Sequence, residues 1–481
     1  SSDFASIKNI VYYKKFLNLQ ELGKYISGKN STNFIGHQTI WKDIHNVIAG
    51  SNIKFSLEDF SLCTANNSLK KNDRLDNFRF SKTNDFKLSN LDKDIKTCVE
   101  ERLMSDADIA VTISGGLDSS LIAIYANQFR KYSNKRTGFY TCLLQPNGKP
   151  TKDLIFSRKL ADKLDVELNE VNPLTNDQDY NAEILIEATK KIIYSHRSPI
   201  NLLTTTFPNY FISEAVSKDG YKAILDGVGG DEMMGGYAKA HLKLYYSNMI
   251  YGKKINTFKF LKNFLFHEIL IRKDYKNSLI KILKPFITKH KNKLIFKSDI
   301  DSTAKLIIDN LKLNNEKENF IKNGFNDIYN LYEEKDKLLT YKSLQEHDLF
   351  TYRMMTFLEM IDTTSMVHGV ENRSPFLDQR LLKYLNMPDN FKFRFGLNKY
   401  ALRKLIKEKG FKFLSDRALK EGSSSPFPLS IFKNNKIRTL INKSKFLIDL
   451  IGKDNLFEFS LDPFFNAKFL SIVILENIND F

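Results

Sequence analysis

The sequence predicts an α/β protein: a doubly wound parallel sheet with helices on both faces, a mostly helical C-terminal part after it, and a short α+β segment before it. Two observations carry this expectation. Between residues 109 and 225, short apolar, β-prone runs alternate with segments of helical period. Two of those runs, 109–113 and 222–225, lead straight into glycine-rich turns. Strands that alternate with helices at such intervals pair in parallel, and their ligands sit at the carboxyl ends of the strands.

In chain order, an amphipathic segment lies around Leu17–Ile26, with polar loops near 30–33 and 66–77. A helix pattern over Leu91–Met104 leads into the first strand, where Ile109, Val111 and Ile113 are apolar. Ser114, Gly115 and Gly116 make a tight turn, and Leu121, Ile122 and Tyr125 restart at helical spacing. Thr137–Leu144 reads as a second strand, Asp153–Leu164 as a helix and Val166–Val171 as a third strand. Helices over Ala182–Ser195 and Asn209–Lys218 precede a short buried strand at Lys222–Leu225. Residues 238–410 read as mostly helical. Residues 1–90 are expected to be a small remnant or the tail of a larger domain, and 91–481 the main domain, with a basic helical insertion around 240–345.

At 481 residues, 42% of them hydrophobic, the chain is long enough for one to three well-buried cores. Three cysteines, Cys63, Cys98 and Cys142, stand far apart without metal-ligand or disulfide spacing, which points to a reducing, cytoplasmic setting. No apolar run reaches transmembrane length, since segments such as 255–271 are cut by Lys259 and Lys262. The formal net charge is +17, and residues 253–297 carry 13 Lys or Arg against Glu268 and Asp274. Such a stretch could make peripheral contact with an anionic membrane surface, a nucleic acid or an acidic substrate. The simpler reading is a set of amphipathic helices with solvated lysine faces, given Phe258, Leu261, Phe264 and Leu265 at helical spacing. No nucleic-acid partner is expected.

Three stretches carry chemistry. Ile109–Asn127 runs strand, glycine turn, helix, and the first N–H groups of such a helix have no intrahelical partner, so they can hold phosphate. Ser114, Ser119 and Ser120 add hydroxyls, whereas Asp118 could face phosphate only through a bridging Mg²⁺. The bland alternative is a helix start rich in capping residues. The second stretch, D-G-V-G-G-D-E-M-M-G-G-Y (226–237), puts Asp231 after a strand on the same sheet edge, where it and Asp118 can converge on one ion. The third is G-V-E-N-R-S-P-F-L-D (369–378), in which Glu371 and Arg373 could orient each other, a substrate, or merely form an ion pair. Downstream, Lys399 and Arg403 stand one turn apart, and Arg417 and Lys420 precede a flexible E-G-S-S-S-P segment, where a mobile cation could meet a pyrophosphate.

Together these residues carry a resemblance. S-G-G-L-D-S-S resembles the pyrophosphate loop of the N-type ATP pyrophosphatases, a group with an adenine nucleotide alpha hydrolase-like fold. Its combination with G-x-G-G-D-E-x-x-G-G-Y and E-x-R-x-P-F-L-D resembles the asparagine synthetase family over residues 91–440. The resemblance implies a ligase that activates a carboxylate with ATP as an acyl-adenylate, releases pyrophosphate and lets ammonia or an amine attack. By position, Ser114, Gly115, Gly116, Asp118, Ser119, Ser120, Gly227 and Gly229 would bind the nucleotide, with Val111 and the start of the 137–144 strand bordering the adenosine. Asp118 and Asp231 would hold Mg²⁺. Lys420, with Arg417 as rival, would face the leaving pyrophosphate, and Glu371 and Arg373 would orient the reacting groups.

Three departures qualify this. Val228 stands where asparagine synthetases carry glutamate and β-lactam-forming relatives tyrosine, and valine cannot take a proton from an amine. His196-Arg197-Ser198-Pro199 stands where aspartate-using relatives carry an acidic stretch, which suits an anionic substrate. At the N-terminus no cysteine is present, and residues 1–50 resemble only the late part of a glutaminase domain. The nitrogen would then come from free ammonia, a separate glutaminase or an amine substrate, or the chain is a fragment. The acceptor expected is a small-molecule, sugar or peptide carboxylate. Asparagine synthetase proper and a tRNA-modifying ATPase of the same fold are the alternatives.

Overall fold

The computed structural model describes residues 17–27, 38–42, 44–47, 52–59, 62–66, 86–132, 134–143, 150–203, 205–237, 241, 323, 341–350, 353–394, 397–417 and 429–479. The basic 253–297 stretch, Lys420 and the polar residues 30–33 and 67–77 fall outside them. A helix α1 (Leu19–Ser27) and an antiparallel hairpin of β1 (Asn52–Phe55) and β2 (Leu62–Asn66) come first. Then helix and strand alternate: α2 (Leu88–Leu103), β3 (Ile109–Thr112), α3 (Leu117–Arg130), β4 (Thr137–Cys142), α4 (Lys152–Leu164) and β5 (Leu168–Val171). The helices α5 (Gln178–His196) and α6 (Thr206–Lys218) precede β6 (Ala223–Leu225) and α7 (Gly230–Met234). Next come α8 (Tyr341–Phe350), α9 (Arg353–Met366) and β7 (Glu371–Arg373). The C-terminal part is helical: α10 (Tyr400–Glu408), α11 (Asn435–Asn442), α12 (Lys445–Ile451), α13 (Lys453–Phe459) and α14 (Pro463–Asn479).

Strands β3 to β7 form a parallel sheet in the order β5-β4-β3-β6-β7, the doubly wound arrangement expected. Alternate residues divide between its faces, as the two-residue period of a strand requires. Ile109, Val111, Phe139 and Leu225 pack with Leu91, Ile95, Leu121 and Leu402 on one face. Ala110, Tyr140 and Ile224 pack with Ile212 and Val216 of α6 on the other. The winding reverses between β3 and β6, which opens a crevice beyond their carboxyl ends.

Where the elements differ from expectation, local hydrogen bonds explain it. Thr151 Oγ1 accepts from Leu154 N at 3.1 Å, and Asp177 Oδ1 from Asp179 N at 2.8 Å, so α4 and α5 start earlier than apolar periodicity alone suggests. Asp165 is left-handed with φ 54°, and Val166 N donates back to Ala161 O at 3.1 Å. That helix closure uses up Val166, so β5 begins only at Leu168. The strand β7 was not expected, because Glu-Asn-Arg has no apolar residue; it exists by pairing with β6.

Residues 17–27 and 38–42 pack against the rest. Leu22, Tyr25, Ile26 and Trp41 share one hydrophobic core with α5, α6 and α14. Tyr25 Oη donates to Ile200 O at 2.8 Å, and the buried Lys468 ammonium on α14 donates to the carbonyls of Tyr25 and Ile26. Among the described residues no helix is long and apolar enough to cross a membrane.

Trp41 is the one tryptophan of the chain, and its Nε1 donates to the Arg197 carbonyl at 2.8 Å. Urea unfolding followed by its fluorescence should therefore coincide with unfolding followed by far-UV circular dichroism. Trp41→Phe leaves a buried carbonyl without its donor and should lower stability by about 1–3 kcal/mol. Separate transitions for the two probes would refute the shared core.

Candidate active site

The crevice at the sheet's switch point is lined by the β3 end (Thr112, Ile113, Ser114), the α3 start (Asp118, Ser119) and the β6 loop (Asp226 to Gly229, Asp231, Glu232). The pyrophosphate-loop sequence folds as the sequence predicts, with Gly116 leading into α3. Ser119 Oγ accepts from Ser114 N at 3.1 Å and lies 2.9 Å from Ser114 Oγ, which closes the turn on itself. Ser120 is fully buried, and Asp118, in the first turn of α3, is 5% exposed.

The second glycine loop lies directly on that first turn. A Cβ at Gly230 would stand 2.5 Å from the Asp118 carboxyl, so only glycine permits this approach. Asp226 anchors the loop: its Oδ1 accepts from Val228 N at 3.0 Å and from Ser374 Oγ at 2.7 Å. Burial pushes the Asp226 carboxyl up to about 6. Glu232 beside Asp231 is also buried, and burial, with Asp231 adding to it, pushes its carboxyl up to about 7 while Tyr237 Oη bonds to it.

Asp118 and Asp231 do converge, and the cation between them is Lys399. Its ammonium bonds to Asp118 Oδ2 and lies 2.6 Å from Asp231 Oδ1, with the lysine 4% exposed. Burial disfavours the charged form, but the two carboxylates outweigh it and raise the lysine above its ordinary range. Lys399 adopts the left-handed region, φ 52° and ψ 39°, just before α10, a conformation that costs a non-glycine residue about 1–3 kcal/mol. Its neighbour Asn398 holds the junction by donating to the Gly236 carbonyl and accepting, through its own carbonyl, from Arg403 Nε at 2.8 Å. A Cβ at Gly236 would fall 2.2 Å from Lys399 Cε, so the lysine stem needs glycine there.

Two carboxylates delivered by separate strand ends to one cation are the donor set a hard divalent ion uses, together with phosphate oxygens and water. The residues therefore fit Mg²⁺. The serine-bearing turn and the start of α3, whose first N–H groups point out of the helix, fit a phosphate beside it.

Arg417 is placed differently from a mobile cation. Its Nη1 donates to the Gly115 carbonyl at 2.6 Å, its Nη2 pairs with Asp153, and the guanidinium packs over Phe156 at 4.4 Å. Arg403 in turn donates to the carbonyls of Ser415 and Arg417 at 2.9 and 2.5 Å. Glu371 and Arg373 pair with each other at 3.0 Å, Arg373 Nη1 reaches the Arg102 carbonyl, and neither lines the crevice. The third motif reaches the site instead through Ser374 and through the Arg373 carbonyl, which accepts from Asp226 N at 3.1 Å. Val111 is buried in the core, and Thr112 and Ile113 border the crevice in its place. Val228 lines the crevice, as do the apolar Ile212, Phe357 and Ile361. His196 lies 3.1 Å from Glu359, and Arg197 packs over Tyr194; neither lines the crevice.

The sequence singles out Lys399 and Arg403 only as basic residues one turn apart and gives Lys399 no place in the site. A lysine at a helix start reads as solvated, and only the fold shows what it spans. Removing Arg417 should reveal a structural role: Arg417→Met takes the guanidinium from the buried Asp153 carboxylate and should lower stability in urea by about 3–5 kcal/mol. The double variant Arg417→Met, Asp153→Leu should recover much of that loss, and a lone Arg417→Met change without effect on stability would refute the role.

Comparison with known proteins agrees with the geometry. The family model for asparagine synthase matches residues 90–446. A probable glutamine-hydrolysing asparagine synthetase of Schizosaccharomyces pombe is 30% identical over 178 residues, 34% of this chain and 29% of its own length. The glutamine-hydrolysing asparagine synthetase of Zea mays is 30% identical over 151 residues, 30% of this chain and 24% of its own. The matched stretch thus spans under a third of these curated relatives. Among solved structures, the NH3-dependent NAD synthetase of Campylobacter jejuni has 15% identity and a TM-score of 0.23, covering 50% of this chain and 94% of that one, a likeness too slight to argue from. The family model covers most of the chain, and its matched span holds the two glycine loops, the paired aspartates and the lysine between them: this chain belongs to the asparagine synthase family.

Proposed function

We propose that the protein is an ATP- and Mg²⁺-dependent amide-forming ligase. The observation that supports this best is the meeting of Asp118 and Asp231 above a phosphate-binding turn. In the first step an acceptor carboxylate oxygen attacks the α-phosphorus of ATP, the bond to the bridging oxygen of the β-phosphate breaks, and pyrophosphate leaves. In the second, ammonia or an amine attacks the acyl carbon, AMP leaves, and the nitrogen loses a proton. Mg²⁺ held by Asp118 and Asp231 would shield the phosphate charge. Ser114, Gly115, Gly116, Ser119 and Ser120, with the first N–H groups of α3, bind the phosphates. Gly227 and Gly229 let the second loop close on them, and Ile113 with the Tyr140–Leu143 edge borders the adenosine. Lys420 is assigned to the leaving pyrophosphate, since Arg417 is committed to Asp153 and the loop carbonyl.

The apolar Val228 offers no base to the nucleophile, which favours an acceptor other than aspartate, such as a sugar uronate or a peptide side chain. The names of the relatives favour a second reading, plain asparagine formation. Residues 1–90 are assigned as a remnant or tail of a glutaminase-like domain, with ammonia or an amine as the attacking nitrogen.

An ATP–pyrophosphate exchange screen across aspartate, uronates and peptides tests the reading. Mg²⁺-dependent exchange is expected with at least one non-aspartate carboxylate, and Asp231→Asn should reduce it by about 100-fold or more. Exchange only with aspartate, followed by asparagine release with ammonia, would establish the second reading. Absence of exchange with every carboxylate would defeat both.

A further inference from the structure

We propose that Lys399 and the divalent ion compete for one anionic seat: the lysine is an internal counter-ion that withholds Asp118 and Asp231 from free metal and yields them to metal arriving with a triphosphate. This rests on the reading of Asp118 and Asp231 as the metal pair.

The ammonium is already bonded to one oxygen of each carboxylate, Asp118 Oδ2 and Asp231 Oδ1. It is not a surface lysine that happened to fold inward, because three features hold it there. Its backbone is left-handed, its stem passes where a Gly236 Cβ would stand, and the preceding residue, Asn398, donates its side-chain amide to the Gly236 carbonyl. The two carboxylates carry a charge of −2, and the ammonium reduces this to −1. A dication added beside the ammonium would turn the cluster to +1 and set like charges side by side, with the ammonium itself buried. The cluster accepts both only if further negative charge enters, and a triphosphate supplies it. Free metal must therefore displace a buried, well-bonded ammonium, whereas metal on a nucleotide brings the ammonium a new set of oxygens to face. The lysine makes metal binding conditional on nucleotide.

Mn²⁺ titrations read by the spectrum of the free ion test this. Lys399→Gln and Lys399→Met should bind Mn²⁺ alone about tenfold or more tightly than the wild type, since one positive charge has left the seat. ATP should tighten Mn²⁺ binding much less in these variants than in the wild type. Unchanged or weaker Mn²⁺ binding by the variants overturns the proposal. If neither variant folds, wild-type crystals soaked in Mn²⁺ decide: an ion between the two aspartates with the Lys399 ammonium out of hydrogen-bond reach of both supports it. An ion with the ammonium still bonded to both, or no ion there, overturns it. Pyrophosphate exchange is read separately. Exchange by the wild type with unaltered Mn²⁺ affinity in the variants defeats only the competition, and tightened affinity without exchange on any carboxylate defeats only the ligase reading.

Discussion

The site depends on a charge problem: two carboxylates, one nine-tenths buried and the other at the crevice wall, share one buried ammonium. Buried charges are tolerable only when they meet at contact distance and their remaining hydrogen bonds are made. Here the partners come from three remote segments, the α3 start, the β6 loop and the turn before α10. Bringing them together demands that backbones touch, which is why glycine stands at 230 and 236, where any side chain would strike Asp118, Asp231 or the lysine stem. The glycine pattern of the second loop is thus the packing condition for the Asp118–Lys399–Asp231 cluster.

A second line of contacts stiffens the same region from behind. Arg403 on α10 holds the Ser415 and Arg417 carbonyls, and Arg417 reaches on to the Gly115 carbonyl and Asp153. One short helix therefore presents Lys399 to the front of the phosphate-type turn and, through two arginines, grips its back. Burial lowers Arg403 to about 10, so this link keeps its charge at neutral pH in spite of its surroundings. The third motif acts in a similar indirect way, steadying Asp226 through Ser374 and a backbone carbonyl while its charged pair faces away from the crevice.

Much of this was legible in the sequence because it rests on local patterns. Apolar alternation at 109–113 and the glycine turns at 115–116 and 227–230 follow from strand period and backbone sterics, and they placed the sheet, the switch point and the paired aspartates. Other parts depend on partners far along the chain. Strand β7 is Glu-Asn-Arg and pairs only because β6 offers an edge. Val111 and Thr112 cannot be assigned to core or crevice until the faces of the sheet are known. Lys399 carries no local sign of burial, since its environment is built by residues more than 150 positions away.

The crevice mixes polar and apolar side chains. Serines and carboxylates (Ser114, Ser119, Asp118, Asp226, Asp231, Glu232) line it together with the apolar side chains of Val228, Ile212, Phe357 and Ile361. An acceptor carboxylate resting against those apolar side chains would be poorly hydrated, and a carboxylate stripped of water is a stronger nucleophile toward phosphorus. The same apolar side chains offer no group to deprotonate an incoming amine. Glu232, buried next to Asp231 and pushed up to about 7, lines the crevice but is already bonded to Tyr237. On the proposed ligase reading, proton removal from the attacking nitrogen would then fall to the leaving adenylate or to solvent. On that reading Val228 would shift the demand from a protein base to the choice of nucleophile.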